Sequence, residues 1–327
     1  MTDIDLTSVT AVVTGSGGFF GGQLAHGLLS RGARVRAFLR YRSDGHLGQL
    51  AGLQGDPGLD LWWGDVRDEA TLGPVLEGAD VVFHLAALVS VPHSYTDPAG
   101  YVQTNVVGTV NVLREAQAAR MRRIVVVSTS EVYGTAQTEL IDEDHPLVAQ
   151  SPYAATKIAA EKLCESFFHT YGTPVVVVRP FNLYGPGQSR RAVIPEIVAQ
   201  ALTGGPVYIG SRDTVRDFNY VPDTVDALIR LCTFDDAVGK VFNIGSGRPT
   251  SINDVIATVE RILGRRLEMH TDPARVRPVG SEVRRLRADS TRLRTLIGPW
   301  ACAPLAEGIT QVVEQARRDA TLGARLP

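Results

Sequence analysis

The chain has no excess of either charge, few cysteines and no long apolar run, and each shortage removes a class of function. Its 33 basic and 35 acidic residues leave a formal net charge of -2. That is too weak a global field to attract nucleic acid or an anionic membrane, so any anionic ligand needs a local site. The three cysteines, Cys164, Cys232 and Cys302, are odd in number and widely spaced, which fits neither a disulfide framework nor a metal-ligand cluster. Buried cytosolic thiols and no metal are expected. No stretch approaches the ~20 apolar residues of a membrane-spanning helix. The opening MTDIDLTSVT also lacks a basic segment followed by an apolar run, so a cytoplasmic protein with no membrane or nucleic-acid partner is expected. Repeats, low-complexity tracts and long charge runs are missing too; the basic segment Arg275 to Arg294 is interrupted by acids.

What is there is 327 residues with 44% hydrophobic content, enough to bury a large core in one α/β domain or two smaller ones. Short β-branched runs alternate with helical patterns at Val9 to Val13, Arg34 to Leu39, Leu59 to Trp63, Asp80 to Leu85, Arg123 to Ser128 and Pro174 to Arg179. Such alternation reads as parallel βαβ units in a doubly wound α/β sheet of the Rossmann type, covered on both faces. Val102, Val106, Val110 and Leu113 recur at helical spacing and predict a helix over about Pro98 to Ala119. A second helix starts after Ser151-Pro152 and ends near Gly172; it carries Tyr153 and Lys157 four residues apart, on one face. After Arg179 the texture changes to a Pro- and Gly-rich loop. Short strands (Val207 to Ile209, Val241 to Ile244) then mix with helices (Ile194 to Leu202, Thr224 to Cys232, Ile252 to Leu263, about Leu305 to Ala320). The expected division is a dinucleotide-binding domain over 1–180 and about 216–248. A smaller α/β substrate domain takes about 181–215 and 249–327, threaded through the sheet.

The strand VTAVVTG runs into SGGFFGG and then a helix, with glycines at 15, 18 and 21. That spacing lets the chain turn tightly, the backbone approach a pyrophosphate and the helix pack on the sheet. Gly15, Gly18, Phe19, Phe20 and Gly21 are therefore placed at the cofactor. At the end of the second strand an acid would accept from the ribose 2′-OH of NAD, whereas an arginine would pair with the 2′-phosphate of NADP. The sequence has Leu39, then Arg40 and Arg42, which favours NADP; beside an NAD site the same arginines would simply be solvated. Asp65 suits the adenine amino group, with Val66 beside the ring. The small residues of Leu85-Ala86-Ala87 let backbone lie against the cofactor, and Ser128 ends the fifth strand at the same place. His84 is expected to be a satisfied core histidine.

Tyr153 and Lys157 follow the strand-end segment Ser128-Thr129-Ser130-Glu131-Val132-Tyr133-Gly134. A phenol with a reference pKa of ~10 is a poor base at neutral pH unless a cation favours the phenolate, and Lys157 one turn on would supply that charge. The pair would then take a hydroxyl proton while hydride leaves the same carbon for a nicotinamide. Such a spacing alone arises by chance in many helices; its place after a glycine-rich Rossmann half makes it a site.

TGSGGFFG, HLAA, STSEVYG, YAATK, RPFNLYGP and RDFNYV, in this order, resemble the extended short-chain dehydrogenase/reductase family of nucleotide-sugar epimerases and dehydratases. Within it, STSEVYGTA, RPFNLYGPGQSRRAVIP and RPVGSEVRRLRADSTRLR look most like the UDP-N-acetylglucosamine 4,6-dehydratases of legionaminic-type pathways, with GDP-mannose 4,6-dehydratases similar at STSE. The resemblance implies that Thr129 bonds the sugar 4-hydroxyl beside Tyr153. It makes Glu131 the acid/base that removes the C5 proton, since a C4 ketone acidifies C5. The dTDP-glucose enzymes carry an Asp-Glu pair here, and Ser130 replaces the Asp. The resemblance further implies that Asn182, Arg191, Arg216 and Arg277 hold the sugar or its diphosphate, and that Tyr208 lies against the nucleobase. A 4,6-dehydratase with a nucleotide-sugar substrate is expected. A 4-epimerase, a uronic acid decarboxylase whose carboxylate-binding cation is not identifiable, and a cofactor-sensing regulator are the alternatives. Apolar second faces on the helices Pro98 to Ala119 and Pro152 to Tyr171 predict a homodimer.

Overall fold

A computed structural model describes residues 4–41, 43 and 45–323. Arg42, one of the two arginines expected at the ribose, lies outside the described residues. Seven strands form the main sheet: β1 (Thr10–Thr14), β2 (Arg34–Leu39), β3 (Leu59–Trp63), β4 (Val81–His84), β5 (Arg123–Val127), β6 (Val175–Pro180) and β7 (Val241–Ile244). Their order in space is β7-β6-β5-β4-β1-β2-β3, and every neighbouring pair is parallel. This is the doubly wound Rossmann arrangement that the alternating pattern predicted, with one more strand delivered from late in the chain. The expected strands of the first half form within a residue at each end.

Alternation along these strands feeds two cores, because successive side chains point to opposite faces of a sheet. Ala11 and Val13, Val81 and Phe83, and Val125 pack on one face, whereas Val12, Val82, Ile124 and Val126 pack on the other. The first face is covered by α1 (Phe19–Leu29) and by α6 (Val221–Thr233), which supply Leu24, Leu28, Leu228 and Ile229. The second is covered by α2 (Glu69–Leu76), α3 (Gly108–Ala118) and α4 (Pro152–Tyr171), with Leu72, Val112, Leu113 and Cys164 inside. Burying a Leu or Val side chain contributes about 1.5 to 3 kcal/mol, so these faces, not local propensity, hold the helices in place. Cys164 and Cys232 are buried and Cys302 is half-buried.

The helix α4 has the ends its sequence dictates. Ser151 accepts from the Ala154 amide at 3.1 Å, Pro152 opens the first turn, and Gly172 ends the helix at φ 66°. The segment expected as one helix over Pro98 to Ala119 is broken in the structure. A short turn at Pro98–Tyr101 passes through a π-helical stretch, Val102–Val107, before α3. Two side chains compete for the regular ladder there. Thr109 Oγ1 donates to the Asn105 carbonyl at 2.6 Å, and the Asn105 amide leaves the helix to bond the Leu88 carbonyl and Thr156 Oγ1, both at 3.0 Å.

A third core lies beyond the carboxyl ends of the strands. It joins α5 (Val193–Leu202), α7 (Ile252–Leu263) and α8 (Leu305–Gly323) through Ile197, Val198, Val255, Val259, Ile309 and Val313. The chain leaves the sheet after β6, returns for α6 and β7, and leaves again. Among the described residues no helix is long and apolar enough to cross a membrane.

Candidate active site

A cleft of about 1540 Å³ runs along the carboxyl ends of β1, β2, β4, β5 and β6 and under the third core. Its first half is made mainly of backbone. Gly15 turns out of β1 at φ 73°, where an added Cβ would lie 2.8 Å from the Ala86 amide nitrogen, and a Cβ on Gly21 would collide with the Gly15 carbonyl. Gly18 opens α1 with no side chain capping it among the described residues. The first-turn amides, with Phe19 and Phe20 beside them, are thus offered to the cleft together with the positive end of the helix dipole. These features fit a pyrophosphate.

Thr14 fixes the opposite wall. Its hydroxyl accepts from the Leu85 and Ala86 amides at 3.1 Å each and meets His84 Nδ1 at 2.9 Å. His84 is a satisfied core residue whose other nitrogen meets Thr109 Oγ1 at 3.1 Å, and burial pushes its pKa down to about 3. Ala87 and Val66 also line the cleft. At the far end Arg40 is exposed on the cleft rim while Leu39 is buried in the core. Asp65, expected to face an adenine amino group, is held by a neighbour the sequence reading passed over. Arg67 grips both carboxylate oxygens at 2.9 and 2.7 Å and holds Asp65 below the usual carboxylate range.

After β5 the chain makes a 3-10 turn, Ser130–Tyr133, whose amide at Glu131 is capped by Thr129 Oγ1 at 3.2 Å. Thr129 and Glu131 point into the cleft, facing Tyr153 and Lys157 from α4. The Tyr153 phenol is buried and hydrogen-bonded with Thr129; burial, with Glu131 and Tyr101 adding to it, lifts it well above the usual phenol range. Burial therefore outweighs the cation expected to favour the phenolate. Lys157 donates to the Val127 carbonyl at 2.6 Å, and burial brings its own pKa down to about 8. It still carries its charge at neutral pH. Ser128, expected at the cofactor, lines the cleft but donates its hydroxyl to the buried Glu161.

The other half of the cleft is lined by paired charges. Arg277 stands 3.5 Å from Glu131, buried Arg216 lies 3.1 Å from Glu282, and Arg275 bonds the buried Glu196 at 3.0 Å. Arg191 is exposed on the same wall. Among the described residues Asn182 Oδ1, Gln188 Oε1 and Arg277 Nη1 are buried without a hydrogen-bond partner. Unmet donors and acceptors facing a cleft are costly unless a polar ligand meets them. Tyr208 is not brought to this wall. It is exposed and stacks on His270 at 5.1 Å, while its neighbours Ile209 and Gly210 line the cleft. On a strand, adjacent residues face opposite ways.

The sequence pattern of the GDP-mannose 4,6 dehydratase family matches residues 12–311, which takes in the glycine turn, the Thr129–Glu131 turn, α4 and the arginine wall. The chain belongs to the GDP-mannose 4,6 dehydratase family. Like its relatives it is an extended short-chain dehydrogenase/reductase. It is 32% identical to a dTDP-glucose 4,6-dehydratase of Xanthomonas campestris pv. campestris, over 93% of this chain and 92% of that one. It is 33% identical to a UDP-glucose 4-epimerase of Mycolicibacterium smegmatis, over 93% and 97%. A solved structure, MoeE5 in complex with UDP-glucose and NAD, superposes with a TM-score of 0.83 at 32% identity and covers 95% of this chain and 99% of that one.

Several residues that shape this family member's cleft were missed in its sequence. Asn105 ties the cofactor-side loop at Leu88 to α4 through Thr156. Its signal was the asparagine interrupting a valine-rich helix. Glu161 and Arg179 are buried together behind the Thr129 turn. Glu161 stands four residues after Lys157, hence on the same helix face, which is the one local hint. Arg67 and Arg275 gave none beyond their charge.

Proposed function

We propose that this chain is a nucleotide-sugar 4,6-dehydratase, and the observation that carries the reading is Glu131, a carboxylate in the same cleft as Thr129, Tyr153 and Lys157. Oxidising a sugar at C4 and returning the hydride needs only the tyrosine, its lysine and a nicotinamide. Loss of water across C5 and C6 needs a further group to move a proton from carbon, and that role is assigned to Glu131. When bound, the dinucleotide supplies hydride acceptance at C4 and its later return. Tyr153 takes the 4-hydroxyl proton, Thr129 orients that hydroxyl, and the Lys157 charge lowers the cost of the phenolate. Glu131 then removes the C5 proton and passes it to the departing 6-hydroxyl, which leaves as water; a proton returned to C5 together with hydride return at C6 gives the 4-keto-6-deoxy product.

The glycine turn, the uncapped amides of α1, Ala86 and Ala87 are assigned to the dinucleotide, and Arg40 is read as the residue favouring NADP. Asn182, Arg191, Arg216 and Arg277 are assigned to the sugar diphosphate, because planar guanidinium forks match phosphate oxygens. The substrate domain is then about 181–215 with 249–327. The working form is read as a cytoplasmic homodimer through the outer faces of the segment Pro98 to Ala119 and of α4, with Val102 of the π-helical stretch 44% exposed; a monomer by light scattering at micromolar concentration would remove that reading.

Glu131→Gln keeps the shape and removes the basicity. With the nucleotide-hexose that the wild type converts, this variant is expected to release about 100- to 10,000-fold less 4-keto-6-deoxy product while binding substrate as before. Dehydration at more than a tenth of the wild-type rate would hand the chain to the epimerase reading.

A further inference from the structure

Behind the catalytic turn lies a buried polar network that the proposed chemistry does not use. Glu161 and Arg179 have side chains only 5% exposed. The guanidinium meets both carboxylate oxygens, with Nε at 3.0 and 3.1 Å and an Nη at 2.6 Å. The other Nη donates to the Tyr133 hydroxyl at 2.8 Å and to the Glu143 carbonyl at 3.1 Å, and the guanidinium carbon lies 4.8 Å over the Tyr133 ring. The Tyr133 hydroxyl donates to Asn243 Oδ1 of β7 at 2.6 Å, and the Asn243 backbone amide donates to the Glu143 carboxylate at 2.9 Å. Ser128 donates to Glu161 on the other side.

Ser128 immediately precedes the Thr129 cap and Tyr133 ends the turn, so the two flank the stretch from which Thr129 and Glu131 project. One ion pair therefore grips both ends, and it does so from α4, which carries Tyr153 and Lys157, and from β6. We propose that Glu161 and Arg179 are positioning residues that hold the turn bearing Thr129 and Glu131 in register with Tyr153 and Lys157. A buried pair of this kind contributes little net stability compared with apolar residues of the same volume, because desolvation offsets its attraction. Its value lies in geometry, since a fully satisfied network allows one arrangement of the groups it joins. The pair also bears on Lys157 itself. The Glu161 carboxylate, one turn along α4, opposes the burial that draws the Lys157 proton off. The other groups that act on Lys157 are Cys164 on its own helix, whose thiol burial pushes up to about 12, and neutral His84 on β4, while its ammonium donates to the Val127 carbonyl.

The inference rests on Tyr153 and Lys157 acting at C4, a step common to dehydration and epimerisation. Total conversion of the nucleotide-sugar, to either product, therefore keeps its failure distinct from failure of the dehydratase reading. The variant is Glu161→Gln with Arg179→Met, which removes both charges together and leaves neither stranded. Three measurements are made on the whole protein: thermal midpoint, kcat against KM, and the titration of Lys157 by NMR of labelled lysine. The last is practical because the chain has only three lysines, Lys157, Lys162 and Lys240. A thermal midpoint near wild type is expected, with kcat down about 100-fold at unchanged KM, the size of an ångström-scale misplacement of catalytic groups. The Lys157 midpoint is expected to fall below that of the wild type, because the Glu161 charge no longer opposes burial.

A fall in kcat without that shift still supports positioning of the turn. Wild-type kcat, with or without the shift, overturns the proposal, as does a fall confined to thermal stability. If the double variant does not fold, Ser128→Ala cuts only the link to the turn and is expected to lower kcat in the same direction by a smaller factor; no change in kcat would then overturn the proposal.

Discussion

The two halves of the cleft are built from different materials. The half under α1 offers backbone amides and glycines: Gly15, Gly18 and Gly21 shape it, and Thr14 fixes the facing wall with two hydrogen bonds. The half under the third core offers charged side chains already paired with each other, Arg277 with Glu131, Arg216 with Glu282 and Arg275 with Glu196. Backbone amides are not removed by a side-chain substitution, so the first half suits a group held in one way whatever the neighbouring side chains. Ion pairs exchange partners when a better anion arrives, so the second half suits a ligand that differs from one relative to the next. The dTDP-glucose 4,6-dehydratase and the UDP-glucose 4-epimerase similar to this chain are named for different nucleotide-sugars.

The largest test falls on the helix between the halves. Tyr153→Phe is expected to keep cofactor affinity and fold while turnover falls by about 100- to 10,000-fold, the range for loss of a general acid/base. Near-normal conversion would remove Tyr153 from the chemistry and leave the two halves with no reacting centre between them. Next comes the charged wall. Arg277→Met is expected to raise KM by about 10- to 100-fold, the range for a lost charge-assisted bond, with cofactor affinity unchanged. If calorimetry showed cofactor affinity falling with it, the halves would not be separate. At the rim of the backbone half, Arg40→Ala is expected to weaken NADP by about 10-fold and leave NAD within a factor of two. Equal effects on both dinucleotides would mean that Arg40 is solvated. The smallest effect is expected at Tyr208→Ala, whose side chain stacks on His270 outside the cleft. KM should move by less than about twofold, as for most exposed positions away from a site; a larger rise would bring the nucleobase back to that tyrosine.

The same division explains what could be read from residues in order. Strands such as Arg34–Leu39 and Leu59–Trp63 were legible to the residue because each is a short, mainly apolar run bounded by turn residues, even though Arg34, Arg36 and Asp60 interrupt them. The glycine turn was legible for the same local reason. The helix expected over Pro98 to Ala119 was read as continuous because its valines keep the period. The side chains that bend it, Asn105 and Thr109, act through partners at Leu88 and Thr156, which periodicity does not see. Ser128 was placed with the cofactor because it ends a strand there; its hydroxyl turns instead to Glu161, more than thirty residues away. Tyr208 was assigned by its motif, and the period of two turned its ring outward. The pairs in the charged wall join residues 131 with 277 and 216 with 282, so only the folded chain brings each arginine to its acid.

The seventh strand has a consequence for anyone building hybrids of these enzymes. Val241–Ile244 closes one edge of the sheet against β6, yet it is made only after the chain has travelled out to the third core and back. A fragment ending at residue 240 would leave β6 as a bare edge with four consecutive valines, Val175 to Val178, an invitation to pair with another copy. Asn243 on the same strand also receives the Tyr133 hydroxyl behind the catalytic turn. A cut that treats the second half as an exchangeable cassette therefore severs both the sheet and the support of its chemistry. A workable graft would exchange 181–215 and the chain beyond 249 in two pieces and leave the strand between them at home.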